Sequence, residues 1–185
     1  MNNEVMLNKI ESIVNEYGKL YQECAAKSRG DYMSTLPEGS PAPAAGKIYT
    51  DAYKNAFIAR GTQLAEQAEA VIDMASRADM KETLTPPSRD VLDVLQVLQM
   101  RKDITAAEIE GALQMYGSNY QCFKVLRDIA GYHGIDTSGF THELEGRAEY
   151  YKTCRENVKK LFAPMDHANN GYDPKKASFA LSLMK

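Results

Sequence analysis

Residues 88–134 carry start and stop signals for three short helices, and no other stretch of the chain limits its possible fold so closely. A serine or threonine followed three residues later by glutamate or glutamine can satisfy two backbone N–H groups at a helix start. A glycine after the last turn can take the positive φ that ends a helix. The start signals are Ser88, Thr105 with Glu108, and Ser118 with Gln121, and the stop signals are Gly117 and Gly134. The sequence therefore predicts a compact, capped module of three helices.

Apolar residues recur at helical spacing between these signals. The predicted core of the module consists of Val91, Leu92, Leu95, Leu98, Ile109, Ala112, Leu113, Tyr116, Cys122, Phe123, Leu126, Ile129 and Ala130.

Three longer segments, at about 3–28, 50–84 and 141–163, place apolar residues at intervals of three and four. This spacing is typical of a helix that packs lengthwise on another helix. The clearest seam runs through Met6, Ile10, Ile13, Tyr17, Leu20 and Cys24. We therefore predict an all-α fold, in which an elongated bundle of these long helices carries the module 88–134 as an insertion. Gly61 leaves open whether the second long helix bends or breaks.

The remaining segments are expected to be connectors. Residues 30–47 hold three prolines and three glycines, and we interpret them as a linker between the first two long helices. Residues 164–185 form a turn-rich tail, in which 177–184 can make one short helix. The expected organisation is thus a long-helix bundle of residues 1–84 and 141–163, the module 88–134, and a separate tail.

Charge and composition favour a cytoplasmic protein. The net charge of -3 provides no general attraction for nucleic acid or an anionic membrane. No apolar run approaches the roughly 20 residues that cross a bilayer, so we expect no membrane partner. Three cysteines, an odd number, lie on predicted apolar faces, which indicates free thiols in a reducing compartment.

Patterns for catalysis, cofactors and metals are incomplete. His142 and Glu143 begin like a zinc-binding HExxH helix, but Gly146 stands where the second histidine is required. No glycine-rich phosphate loop or nucleophile elbow is present in the sequence. We therefore expect no enzyme activity, no cofactor, no metal, and no catalytic residue.

The long helices instead carry an aromatic and basic set of residues that we interpret as an interaction surface: Tyr49, Tyr53, Tyr150, Tyr151, Arg155 and Lys159. The leading hypothesis is a non-enzymatic interaction or assembly protein that self-associates or binds a protein partner through its long helices. The alternative is an accessory protein that binds nucleic acid through the basic and aromatic face of helix 141–163.

The segments VLQMR at 97–101, ITAAEIE at 104–110, YGSN at 116–119 and LRDIA at 126–130 resemble a pattern in small, uncharacterised all-helical proteins that phages and prophages of Firmicutes encode near virion structural genes. The resemblance covers about residues 88–134 and rests on helix caps and core positions. It implies a phage-associated structural or assembly protein in the cytoplasm of an infected bacterial host cell, and it implies no catalytic residues.

Overall fold

The structure is a computed structural model that describes residues 3–184, and it is all-α. Those residues form eight helices and no strand: α1 Asn3–Ser34, α2 Asp51–Thr83, α3 Arg89–Met100, α4 Ala106–Tyr116, α5 Tyr120–Tyr132, α6 Arg147–Leu161, α7 Pro164–Asn170 and α8 Pro174–Ser182. The predicted fold class is confirmed.

The chain divides into two compact units. The first extends to Ala75 and resumes at Ala148, and the second is Ser76–Arg147. The module 88–134 lies within the second unit. The tail, which we expected to be separate, belongs to the first unit.

The core of the first unit contains apolar residues from all three long helices. In α1, the positions of the predicted seam that are fully buried are Met6, Ile10, Tyr17 and Cys24. They pack in one cluster with residues of α2 and α6, among them Phe57, Leu64, Tyr151, Cys154 and Val158. The first seam is therefore covered by the same chain.

The C-terminal tail closes this core. Ala168 of α7, Ala177 of α8 and Met184 are all buried in the same cluster. Pro164 occupies the first turn of α7, where its missing N–H costs nothing. Asp173 caps α8 by accepting a hydrogen bond from the Lys175 backbone N–H at 2.9 Å. We expected this tail to be largely turn-rich, and that expectation was wrong. The tail forms α7 and α8, because short helices can gain their stability from burial against the rest of the unit.

The second unit has its own core, built from residues of α3, α4 and α5 such as Leu95, Ile109, Leu113, Phe123 and Leu126. Most of the predicted core positions are found there. Leu92 is an exception, because its side chain is exposed.

The predicted caps of the module are partly confirmed. Thr105 and Glu108 form the full capping box, with 2.9 Å from the Thr105 N–H to Glu108 Oε2. The next helix is capped by Asn119 in place of Ser118, since the Asn119 side chain accepts from the N–H groups of Gln121 and Cys122. Gly134 has the expected positive φ of 70°.

Two other caps stand at the predicted residues but lack the predicted geometry. Gly117 has a φ of -68°, so it ends α4 without the left-handed conformation. Ser88 precedes α3, but its side chain makes no capping hydrogen bond.

Two predicted boundaries also shift. The helix expected from residue 141 begins at Arg147, because Gly146 takes a φ of 74° and the His142 ring accepts the Leu144 N–H at 3.1 Å. The first helix continues to Ser34, so it includes the start of the predicted linker 30–47. The first proline of that segment is Pro37, and nothing before it interrupts the backbone hydrogen bonds.

The second long helix does not break at Gly61, because α2 is continuous from Asp51 to Thr83. A Cβ atom at Gly61 would lie 2.9 Å from both Tyr17 Cε2 and Pro164 Cβ. Real Cβ atoms essentially never approach other atoms that closely. The glycine therefore allows α1 and the start of α7 to approach α2 closely.

We expect Gly61→Ala to lower the free energy of unfolding of the first unit. Overpacking costs about 1–3 kcal/mol, which exceeds the gain of up to about 1 kcal/mol that alanine brings to a helix. Urea unfolding followed by tyrosine fluorescence measures the change. Gly30→Ala is the matched control, since Gly30 lies in α1 of the same unit and nothing is within 4 Å of its added Cβ. The control should raise stability by about 0.5–1 kcal/mol, and equal gains from both variants would contradict the packing role of Gly61.

Candidate interaction surface

The four tyrosines of the predicted surface have different roles. Tyr49 stacks on Tyr32, with ring centroids 4.8 Å apart, and its hydroxyl donates to the Ala44 carbonyl at 2.9 Å. Tyr53 is half-buried against the core, and the nearby Asp31 carboxylate raises the pKa of its hydroxyl. These two tyrosines help to hold the loop after α1 and the start of α2 in place.

Tyr151 was wrongly placed on a surface, since its side chain is only 2 % exposed in the core of the first unit. Tyr150 is half-buried beside it, and its hydroxyl donates to the Met184 carbonyl at 3.0 Å. Tyr150 was placed on the outside because the tail, which supplies the Met184 carbonyl, was expected to be separate.

The basic members of the predicted surface also differ. Arg155 Nη2 lies 2.9 Å from Asp73 Oδ1, so α6 and α2 are joined there by an ion pair. Lys159 is exposed to solvent. The six residues therefore do not present one common face.

Several other arginines have acidic partners, which bears on the nucleic-acid hypothesis. Ion pairs join Arg60 to Glu16, Arg101 to Glu108, and Arg127 to Glu145, at 2.6–2.7 Å. Phosphate binding needs cations that can exchange their counterions for phosphates. An arginine already paired with a carboxylate is a weaker candidate for that exchange.

The structure exposes an apolar face that the sequence analysis did not consider as a surface. On α3, Val94, Val97 and Met100 are 38 %, 55 % and 76 % exposed. Leu95 of the same helix is buried. Val97 is two residues from Leu95, and thus lies on nearly the opposite side of the helix. The signal was visible in the sequence as apolar residues spread around the whole of α3.

Hydrophobic residues scattered singly on a surface are ordinary, but a contiguous patch calls for an explanation. Val94, Val97 and Met100 follow one another every three residues, so they form one strip along a helix about 18 Å long. We call this strip the outer face of α3.

The ends of α3 carry opposite charges. Asp90 and Asp93 outnumber Arg89 at its start, and Arg101 and Lys102 outnumber Asp103 after its last residue. Within residues 3–184, Lys102 makes no ion pair. The outer face is therefore an apolar strip between an acidic end and a basic end.

The three cysteines and His142 are engaged in the packing and loops of this fold. Cys24, Cys122 and Cys154 are buried free cysteines, and burial raises the pKa of each thiol. His142 hydrogen-bonds the Ser118 carbonyl through Nε2 at 3.1 Å. These groups contribute to packing and to loop structure.

Tyr17 and His167 form a part-buried polar contact in the first unit. Tyr17 Oη lies 2.7 Å from His167 Nδ1, and the Tyr17 ring also packs on Phe57, Phe162 and Tyr172. Burial raises the pKa of the Tyr17 hydroxyl and lowers the pKa of the His167 ring. Both groups are therefore neutral near pH 7, with the hydroxyl donating to the ring nitrogen.

Comparison with known proteins identifies no relative of this chain. The chain matches no protein-family model, no curated protein and no solved structure. Residues 3–184 hold no group of three or more His, Cys, Asp or Glu side chains placed to bind a metal ion. Of the helices that the structure describes, none has the length and apolar character required to cross a membrane.

We expect the stability of the first unit to fall as the pH drops below about 6.5, the ordinary pKa of histidine. The folded state holds the pKa of His167 below that value, so the unfolded state binds more protons in this range. The contribution is fully present above pH 6.5 and is lost as the pH falls through the folded pKa. Urea unfolding at pH 7.5 and at about pH 5 measures the loss.

His167→Gln is the matched variant, since its amide can still accept from Tyr17 but does not titrate. Its stability should depend less on pH than that of the unmodified protein. The neighbouring Asp166 carboxylate favours a charged ring and opposes the effect of burial. An identical pH dependence in the two proteins would contradict a neutral, buried His167.

Proposed function

We propose that this protein is a non-enzymatic interaction protein that self-associates through the outer face of α3. The observation that carries the proposal is the exposure of Val94, Val97 and Met100 along α3, with Val97 nearly opposite to the buried Leu95. Burying such a strip removes apolar area from water, the main favourable term in most protein association.

The proposed occupant of the outer face is a second copy of this chain. Two α3 helices that cross antiparallel about a two-fold axis at Val97 bring the acidic end of each against the basic end of the other. Asp93 then faces the partner's Arg101, and Val94 faces the partner's Met100. The same surface serves both copies, as a two-fold interface requires.

The expected association is weak and depends on concentration. One helix of 12 residues offers less area than the roughly 800 Å² per partner of a standard interface. A reversible contact suits an assembly protein whose copies are brought together at high local concentration. The resemblance to phage-encoded proteins implies such a structural or assembly role, which we include in the proposal.

The first test is light scattering over roughly a hundredfold range of concentration, reaching about 1 mM. The unmodified protein should move from monomer towards dimer. Val97→Glu and Val97→Lys should each remain monomeric, because like charges would face each other across the axis. An equimolar mixture of the two variants should form dimers again, since the facing charges are then opposite.

Val5→Glu serves as the control, because Val5 is an exposed valine on α1 in the other unit. It should associate like the unmodified protein. A strict monomer at every concentration, or dimers of Val97→Glu alone, would overturn the proposal.

A further inference from the structure

The first unit contains a pocket of about 330 Å³ where α1, the loop before α2 and the start of α8 meet. This volume lies near the lower end of the range for small-molecule sites, so the pocket suits a small ligand better than a chain segment. Most of its lining is apolar, and its apolar wall includes Tyr21, Ala25, Ala26, Tyr172 and Pro174.

Arg29 of α1 also lines this pocket and lacks a partner in the chain. Its Nε atom is shielded from solvent, and among residues 3–184 it is the one buried side-chain nitrogen or oxygen without a hydrogen bond. Within the same range the guanidinium makes no ion pair. A buried, charged donor without a partner destabilises a fold. The guanidinium therefore calls for an acceptor from outside the chain.

The other half-buried arginines show how this chain satisfies such a group. Each of them has a carboxylate oxygen 2.6–3.7 Å from a guanidinium nitrogen, and they are Arg101, Arg127, Arg147 and Arg155. In the described part of the chain, Arg29 is thus the one half-buried arginine without an acidic partner.

Arg29 is also the one charged side chain of the pocket, since no Asp, Glu, Lys or His among residues 3–184 lines it. The hydroxyls of Tyr21 and Tyr172 are neutral, because burial raises the pKa of both. Asp173 lies next to the lining residues in sequence, but its carboxylate accepts the Lys175 N–H at 2.9 Å and caps α8. A single positive charge in an apolar wall selects a ligand with one negative charge and an apolar body.

We propose that this pocket binds a small organic monocarboxylate, with the Arg29 guanidinium pairing to the carboxylate and with Tyr172 and Pro174 covering the apolar body. A planar guanidinium donates two parallel hydrogen bonds to a carboxylate, which would satisfy Nε. Gln22 lines the pocket two helical turns before Arg29, on the same side of α1, and adds an uncharged donor. The site goes beyond self-association through the outer face of α3 and does not depend on it.

Phosphate fits this pocket less well than a carboxylate. It carries up to about two negative charges near pH 7, and one arginine in an apolar wall does not balance them. It also has no apolar group to place against the tyrosine and proline rings.

The test uses benzoate, which joins one carboxylate to an aromatic ring. Titration of isotope-labelled protein, followed by NMR, should shift the Arg29 Nε–H signal, which is identified by its absence from Arg29→Lys. Binding should be about millimolar, as expected for a ligand of this size held by one ion pair. Benzamide lacks the charge and inorganic phosphate lacks the apolar body, so each should bind at least about tenfold more weakly.

Variants assign the binding to this pocket. Arg29→Met should weaken benzoate binding about tenfold or more, and Arg29→Lys several-fold, because an ammonium group cannot make the two parallel bonds. Ala26→Leu should also weaken binding, since it fills the pocket and leaves Arg29 in place. Lys27→Met is the control, because it removes an exposed cation of α1 outside the pocket and should leave binding unchanged.

Equal binding of benzoate and phosphate, or undiminished binding by Arg29→Met, would overturn the proposal. Val97→Glu should bind benzoate normally, so failure at this pocket is distinguishable from failure at α3.

A melting experiment separates recognition from a structural role. Methionine keeps an apolar stem of similar shape but lacks the buried N–H, so Arg29→Met should melt at the same temperature as the unmodified protein or higher. A clearly lower melting temperature would mean that the guanidinium already has its partner within the fold, and it would overturn the proposal.

Discussion

The Tyr17 ring lies where α1, α2 and the C-terminal helices meet, and each of them supplies part of its surroundings. Phe57 of α2 and Phe162 after α6 pack on the ring, and His167 of α7 accepts its hydroxyl. Gly61 permits this approach because it has no Cβ to collide with Tyr17 or Pro164. Partners separated by up to 150 residues thus share one buried, neutral cluster.

Burial of the apolar seam of α1 changes what the protein can use for association. Met6, Ile10 and Tyr17 are fully covered by their own chain, so a second molecule cannot pair with them without unfolding the first unit. Association must therefore use side chains that remain exposed, and the outer face of α3 offers a continuous apolar strip. Our hypothesis of self-association therefore moves from the long helices to the second unit.

The sequence predicted local structure correctly where two residues of the same helical turn determine the backbone geometry. Thr105 and Glu108 satisfy each other's backbone within one turn, and the sequence alone indicates this. Asn119 and Ser118 are both good caps, and the structure uses Asn119, whose Nδ2 also donates to the Thr85 carbonyl at 3.2 Å. That second bond joins residues 34 positions apart, so no local pattern contains it.

The tail was misjudged for the same reason, because Ala168 and Ala177 become core only through distant partners. Val97 was overlooked because periodicity selects one face of a helix, whereas α3 is apolar on both.

Hydrogen-exchange mass spectrometry at low and high protein concentration tests the central claim most directly. If the long helices are covered by their own chain, peptides from α1 should be protected to the same degree at both concentrations. Peptides from α3 should gain protection only at high concentration, since only there is the outer face covered. Protection of α1 that appears with rising concentration, together with no change in α3, would contradict this account.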